Sequence, residues 1–176
     1  EGYQNLARFL FGDIRADGWL EIDELTLPPK LEKLRDEGKK IRASYSFEVV
    51  VSIRGKQWQL HRRTTLENSA IFRKYDELFT WDKSTKKGTP IPGSAPMLFN
   101  VFLDTSQRTV KSRPTVAFSV DLSVRVPEYV VDGFLFLDYH FEGSYLFRDQ
   151  LMVEATPPAT KDATWAIKYR YANAGG

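Results

Sequence analysis

The sequence predicts an α+β protein: a mainly antiparallel β-sheet packed against one long helix and one or two shorter helices. Three observations lead there. Tyr45, Phe47, Val49 and Val51 alternate within SYSFEVVVSI (44–53), the period of a half-buried strand. Leu66, Ala70, Ile71, Tyr75, Leu78 and Phe79 recur at helical spacing through 66–81, behind a capping Thr64-Thr65. Further apolar runs then follow, punctuated by glycine and proline.

The elements are expected in this order. YQNLARFLF (3–11) suits a short apolar-faced helix or a docking peptide, and Pro28-Pro29 halts whatever precedes them. LEKLRDEGKKIR (31–42) reads as a short charged helix or an ordered turn, broken near Gly38. After the strand at 44–53, Arg54-Gly55-Lys56 is a hairpin turn that returns Gln57 to His61 as a partner strand. The 66–81 helix follows and must rest on a sheet. Residues 82–96 are rich in Lys, Gly, Ser, Thr and Pro and read as a long loop. Strands are expected at 97–104, 114–126, 132–143 and 164–171, with 146–155 either helix or strand. Two regions result: a docking or linker segment at 1–29 and a single globular domain at 30–176.

Hydrophobic residues make up 42% of the chain, enough for a core and too many for a disordered one. The longest apolar runs, such as Phe134 to Leu137, are too short to span a bilayer. No cysteine is present, which removes disulfides, thiolate metal sites and cysteine nucleophiles. Charge is unevenly placed. Residues 1–29 carry two basic and six acidic side chains, whereas 30–63 carry ten basic and four acidic ones. A basic middle predicts an electropositive face that attracts phosphate, in lipid headgroups or along RNA without sequence preference. Its members are Lys30, Lys33, Arg35, Lys39, Lys40, Arg42, Arg54, Lys56, Arg62 and Arg63, joined by Lys83, Lys86 and Lys87 of the loop.

GDIRADGWLEIDEL (12–25) has the outline of a calcium loop, with Asp13, Arg15, Asp17, Gly18 and Glu24 at positions 1, 3, 5, 6 and 12. Arg15 brings a cation where an oxygen ligand belongs, and Pro28-Pro29 leaves little room for an exit helix. The stretch is therefore expected to be a turn at Asp17-Gly18, with no metal and no cofactor. No catalytic group is assigned. The histidines are His61, beside Arg62 and Arg63, and His140 in an alternating run, and no G-x-S-x-G, H-E-x-x-H or P-loop occurs.

The order of motifs resembles the matrix proteins of rhabdoviruses, the vesiculovirus branch above all. Gly18 to Leu25 is similar to the aromatic, apolar, Ile-Asp-Glu-Leu segment ahead of that domain, and Tyr45 to Arg54 resembles its first strand. Ala70 to Thr80, with Tyr75-Asp76-Glu77-Leu78-Phe79, falls where the family has its long helix. Phe147 to Glu154 and Ala163 to Ile167 resemble its Phe-Arg, Leu-Met, Val-Glu and Ala-Trp patterns. Residues 1–29 show no lysine-rich run where the family has a lysine-rich N-terminal tail, and no PPxY or P-[ST]-AP motif occurs within 1–176, so recruitment of budding machinery is not carried over.

The resemblance implies a structural protein of the virion. It would lie beneath the envelope and at the inner face of host membranes and in the host cytoplasm. Its partners would be itself, anionic membrane lipids and the viral nucleocapsid, which it condenses during assembly and budding. The segment ahead of the domain would dock on a neighbouring protomer through Phe9, Leu10, Phe11, Trp19, Leu20 and Ile22, or else fold back on its own domain. The alternatives from the residues alone are a β-rich lipid- or ligand-binding module, C2-like or barrel, and a small hydrolase of unrecognised type.

Overall fold

The computed structural model describes residues 6, 10, 12, 14–56, 58–108, 110–131, 145–160 and 162–173. Among them the chain is built from ten strands and two short helices. The strands are β1 (Ile14–Trp19), β2 (Ile41–Ile53), β3 (Gln59–Arg63), β4 (Ile71–Lys74), β5 (Phe79–Asp82), β6 (Lys87–Pro90), β7 (Met97–Leu103), β8 (Val116–Val131), β9 (Tyr145–Thr156) and β10 (Ala166–Tyr171). The helices are α1 (Pro29–Asp36) and α2 (Tyr75–Leu78).

The main sheet runs β10-β9-β8-β2-β3, antiparallel throughout, and β4 also pairs with β2. Its spine is β2, which is long because its odd-numbered residues give an uninterrupted apolar face. Tyr45, Phe47, Val49 and Val51 are fully buried, and Ala43 and Ile53 nearly so. Each large side chain buried in this way contributes about 1.5–3 kcal/mol. Opposite them on β8 stand Phe118, Val120, Leu122 and Val124; beyond a register shift near Ser44–Ser46 come Tyr129 and Val131. A second layer closes over this face. It comprises the β1–β7 pair, the extended segment Leu20–Leu27, α1, α2 and the β5–β6 hairpin, and it adds Leu27, Leu31, Leu78, Phe79, Leu98, Phe99, Val101 and Leu103 to the core.

The predicted α+β class, a sheet packed against one long helix over 66–81, is overturned: the described residues form a mostly antiparallel β structure with two short helices. Residues 65–67 form one 3-10 turn, β4 pairs with β2 from Ser44↔Lys74 to Phe47↔Ile71, α2 is one turn, and β5 pairs with β6. The apolar spacing misled because Ile71, Tyr75, Leu78 and Phe79 are all buried, yet from three consecutive elements rather than one stripe. Leu66, which would have led the stripe, is 85% exposed. The free edge of β2 decides the outcome. β3 covers only Val49 to Ser52, and β4 satisfies the N–H and C=O groups of Ser44 to Phe47 left open beside it. Asn68 makes the intervening bend at φ 50°, a left-handed conformation asparagine tolerates.

The predicted 82–96 loop is also partly strand, since β6 returns along β5. The 31–42 helix forms as α1, opened by Pro29 in its first turn and stopped at Gly38, whose φ is 84°. The Arg54–Lys56 hairpin forms with Gly55 at φ 76°. Residues 146–155 resolve as strand. The strand expected at 132–143 lies outside the described residues, as does almost all of 3–11.

Candidate functional site

The basic residues expected on one face are divided between distant places. Ile41 and Ile53 close opposite ends of a 13-residue strand, about 40 Å apart at the rise of an extended chain. Arg54 and Lys56 sit at the hairpin end, where Arg54 Nη1 pairs with Glu154 Oε1 at 3.3 Å and the Lys56 ammonium lies 5.7 Å from the Trp58 ring centre. Arg62 and Arg63 are exposed on β3, with Arg62 Nε 3.1 Å from Glu67 Oε1.

The rest do come together. Lys30, Lys33 and Arg35 on α1, Lys39 and Lys40 in the turn after it, and Arg42 at the start of β2 occupy the other end of the sheet. The β5–β6 hairpin, with Lys83, Lys86 and Lys87, is fastened beside them. Lys86 Nζ bonds Asp36 Oδ2 at 2.7 Å, and the Arg35 guanidinium stacks 4.0 Å from the Trp81 ring centre and 4.6 Å from that of Tyr75. Residues 29–42 hold six basic and three acidic side chains and 82–87 hold three and one, a net charge of +5 for the two segments, which Asp23 and Glu24 beside the cleft between them reduce to +3. Apart from Arg35, all of its basic side chains are exposed. A cleft of about 170 Å³ separates α1 from the hairpin, with Arg35, Trp81, Lys86 and Lys87 on its walls and Asp23, Glu24 and Glu32 at its rim.

Residues 14–25 are committed to their own domain, and Asp17-Gly18, expected as a turn, lie within strand β1 because Asn100 and Phe99 of β7 pair with them. β1 pairs with β7 from Ile14↔Leu103 to Trp19↔Met97, and Leu20 and Ile22 pack against the core. Trp19 and Leu10 are exposed at 56% and 59%, and Phe9 and Phe11 lie outside the described residues. Gly18 is required by close approach: a Cβ there would enter the Phe99 ring. The Asp17 carboxylate accepts hydrogen bonds from Asn100 Nδ2 and from Arg15. No group of three His, Asp or Glu side chains able to hold a metal occurs among the described residues.

His61 is half-buried and Glu48 is buried, on different faces of the main sheet. His61 lies against Phe99, and burial, then the neighbouring Arg63 charge, push its pKa below the usual value. His140 lies outside the described residues. Glu48, on the outer face of β2, is 8% exposed. Burial alone would raise its pKa. Hydrogen bonds from the Thr65 hydroxyl and amide, with Arg125 Nε at 3.2 Å, outweigh burial and hold it at about 2. Beside it the Tyr145 ring lies between Arg125 and Arg148, each guanidinium 5.1 Å from the ring centre. Sequence reasoning missed this outer-face arrangement, although the alternation that buries Val120 and Val124 also turns Asp121, Ser123 and Arg125 outward.

On the core side, a groove of about 490 Å³ runs between Leu20–Thr26 and Phe47, Val124, Leu146, Phe147 and Tyr171. No family model, curated protein or solved structure matches this chain.

Proposed function

We propose that this chain is a non-catalytic structural protein of the matrix type, which associates with copies of itself and coats anionic surfaces: membrane lipid on one side, nucleocapsid on the other. One observation carries the reading. The α1 and β5–β6 elements, distant in sequence, are joined into one surface of net positive charge, +3 with Asp23 and Glu24 included, by the Arg35 stack and the Lys86–Asp36 pair. Each basic side chain held near an anionic bilayer contributes about 1 kcal/mol, so several together give reversible adhesion without an inserted helix. No helix among the described residues is long and apolar enough to cross a membrane.

The resemblance to rhabdovirus matrix proteins supports this reading through the Gly18–Leu25, Tyr45–Arg54 and Phe147–Ile167 stretches. The Ala70–Thr80 stretch lends it nothing, because the helix it was matched to is strand and turn here. A second reading, a β-rich module that takes an apolar ligand, is favoured by the groove beneath Phe147 and Tyr171.

Co-sedimentation with vesicles separates the two. Binding to phosphatidylserine vesicles should weaken steeply with salt and vanish in the Lys39→Glu, Lys40→Glu, Arg42→Glu triple variant. It should persist in the Arg54→Glu, Lys56→Glu double variant at the far end of the sheet. Equal effects of the two charge reversals, or binding to neutral vesicles as well, would remove the basic surface from the argument.

A further inference from the structure

β10 ends the main sheet, and among the described residues no strand pairs with its outer edge. The hydrogen bond from the Ala172 N–H to the Gln150 carbonyl, 2.8 Å, fixes which backbone groups are spent. Even-numbered residues of β10 aim their N–H and C=O at β9. Ile167, Tyr169 and Tyr171 therefore aim theirs outward.

The same three residues stand opposite Ala155, Val153 and Leu151 of β9, on the apolar face of the sheet. The second layer leaves them largely uncovered, at 55%, 70% and 44% exposed, with Tyr171 alone facing Leu20–Thr26 across the groove. Unpaired backbone and uncovered apolar side chains thus belong to the same residues. Native edges are blunted by short strands, edge lysines, bulges, prolines or inward charges, and of these β10 has only its charges on the far face. The β10–β9 register has no shift, β10 has no proline, and Lys168 and Arg170 point to the opposite face.

We propose that this edge is a twofold contact between two copies of the chain, β10 pairing antiparallel with β10 of the second copy about an axis at Tyr169. The proposal rests on the self-associating reading above and gives it a location. The backbone fixes the parity, because outward-facing residues must oppose outward-facing residues, and an axis at Tyr169 is the register that pairs all three of them. Tyr169 then meets its own counterpart, and Ile167 meets Tyr171 at both ends. Each of these pairs exchanges two hydrogen bonds, and the apolar face continues unbroken from one sheet into the other. A second copy supplies a strand of the same length, the same parity and the same apolar side chains, and so matches this edge along all three residues.

With Trp165, also part-exposed, the strip offers roughly 400–500 Å² per copy. Pairing covers the part of it along the edge, which suits a weak, concentration-dependent interface. On the other face Lys168 meets Arg170 of the second copy. That repulsion is screened by salt, so self-association strengthens with ionic strength while lipid adhesion weakens.

The test uses the full chain in analytical ultracentrifugation at low and high salt. Wild type should pass from monomer to dimer with rising concentration, more readily at high salt, and Tyr169→Lys should stay monomeric with an unchanged melting temperature. Because the chain has no cysteine, Tyr169→Cys supplies a lone thiol whose twofold mate lies about 5.5 Å away between Cα atoms, within disulfide reach. Mild oxidation should crosslink it as a dimer and leave Leu66→Cys uncrosslinked. Oligomers that persist in Tyr169→Lys, with no crosslink at 169, overturn this contact and leave self-association standing. A wild type that is monomeric at every concentration and salt overturns both. A monomer that needs Tyr169 for vesicle binding assigns the edge to lipid and overturns the pairing.

Discussion

Glu48 Oε1 accepts a hydrogen bond from the Thr65 N–H at 2.8 Å, and by this contact the bend between β3 and β4 is fastened to the middle of β2. The Thr65 hydroxyl donates to the same oxygen and Ser123 Oγ donates to the other at 3.2 Å. A carboxylate 8% exposed is thereby kept ionised. Its loss would loosen the segment that replaces the expected helix.

The pH dependence follows from the depressed pKa. The unfolded chain protonates Glu48 near 4.5 and the folded chain near 2. Its stabilisation is fully present above about pH 5 and is lost as pH falls toward 2. The difference in pKa corresponds to an upper bound of roughly 3 kcal/mol. Urea midpoints of Glu48→Gln should lie below wild type at neutral pH and converge with it near pH 2. A constant gap across that range would show that the ionised form is not what stabilises the fold.

Gly18 and Phe99 face each other across the β1–β7 pair, and a methyl group at 18 would enter the Phe99 ring. Gly18→Ala should therefore destabilise by about 1–3 kcal/mol, the usual cost of overpacking. Adding Phe99→Leu should recover part of the loss if the ring is the obstacle. Additive losses in the double variant would place the strain elsewhere.

Arg35 joins α1 to the β5–β6 hairpin by lying over Trp81 and Tyr75. Lysine keeps the charge and loses the planar stack. Arg35→Lys should cost about 1 kcal/mol, change Trp81 fluorescence and weaken vesicle binding, since the hairpin lysines lose their fixed place beside α1. An unchanged emission spectrum would mean that the stack does not persist in solution.

Calcium should leave the melting temperature unchanged, because Asp17 is already engaged by Arg15 and Asn100. A rise on adding calcium that chelator reverses would restore the loop reading of residues 12–25.

Strand β2, its hairpin with β3, the helix α1 with its stop at Gly38, and strands β7, β8 and β10 were legible in the sequence by itself. Each is a local matter: alternating side chains, a glycine at positive φ, a proline at a helix start. The region 66–81 was not legible, because Ile71, Tyr75, Leu78 and Phe79 fit helical spacing equally well when a strand, a single turn and another strand bury them in succession. Only the open edge of β2, a long-range demand for backbone partners, chooses between the two. The basic residues divide in the same way. Composition determined that positive charge gathers in the middle of the chain. The tertiary structure alone decided that Arg54 and Lys56 lie about 40 Å from Arg42, at the far end of β2, and that residues 83–87 fold back against α1. Proximity in sequence places side chains along an extended strand, and only strand pairing and packing return distant segments to the same surface.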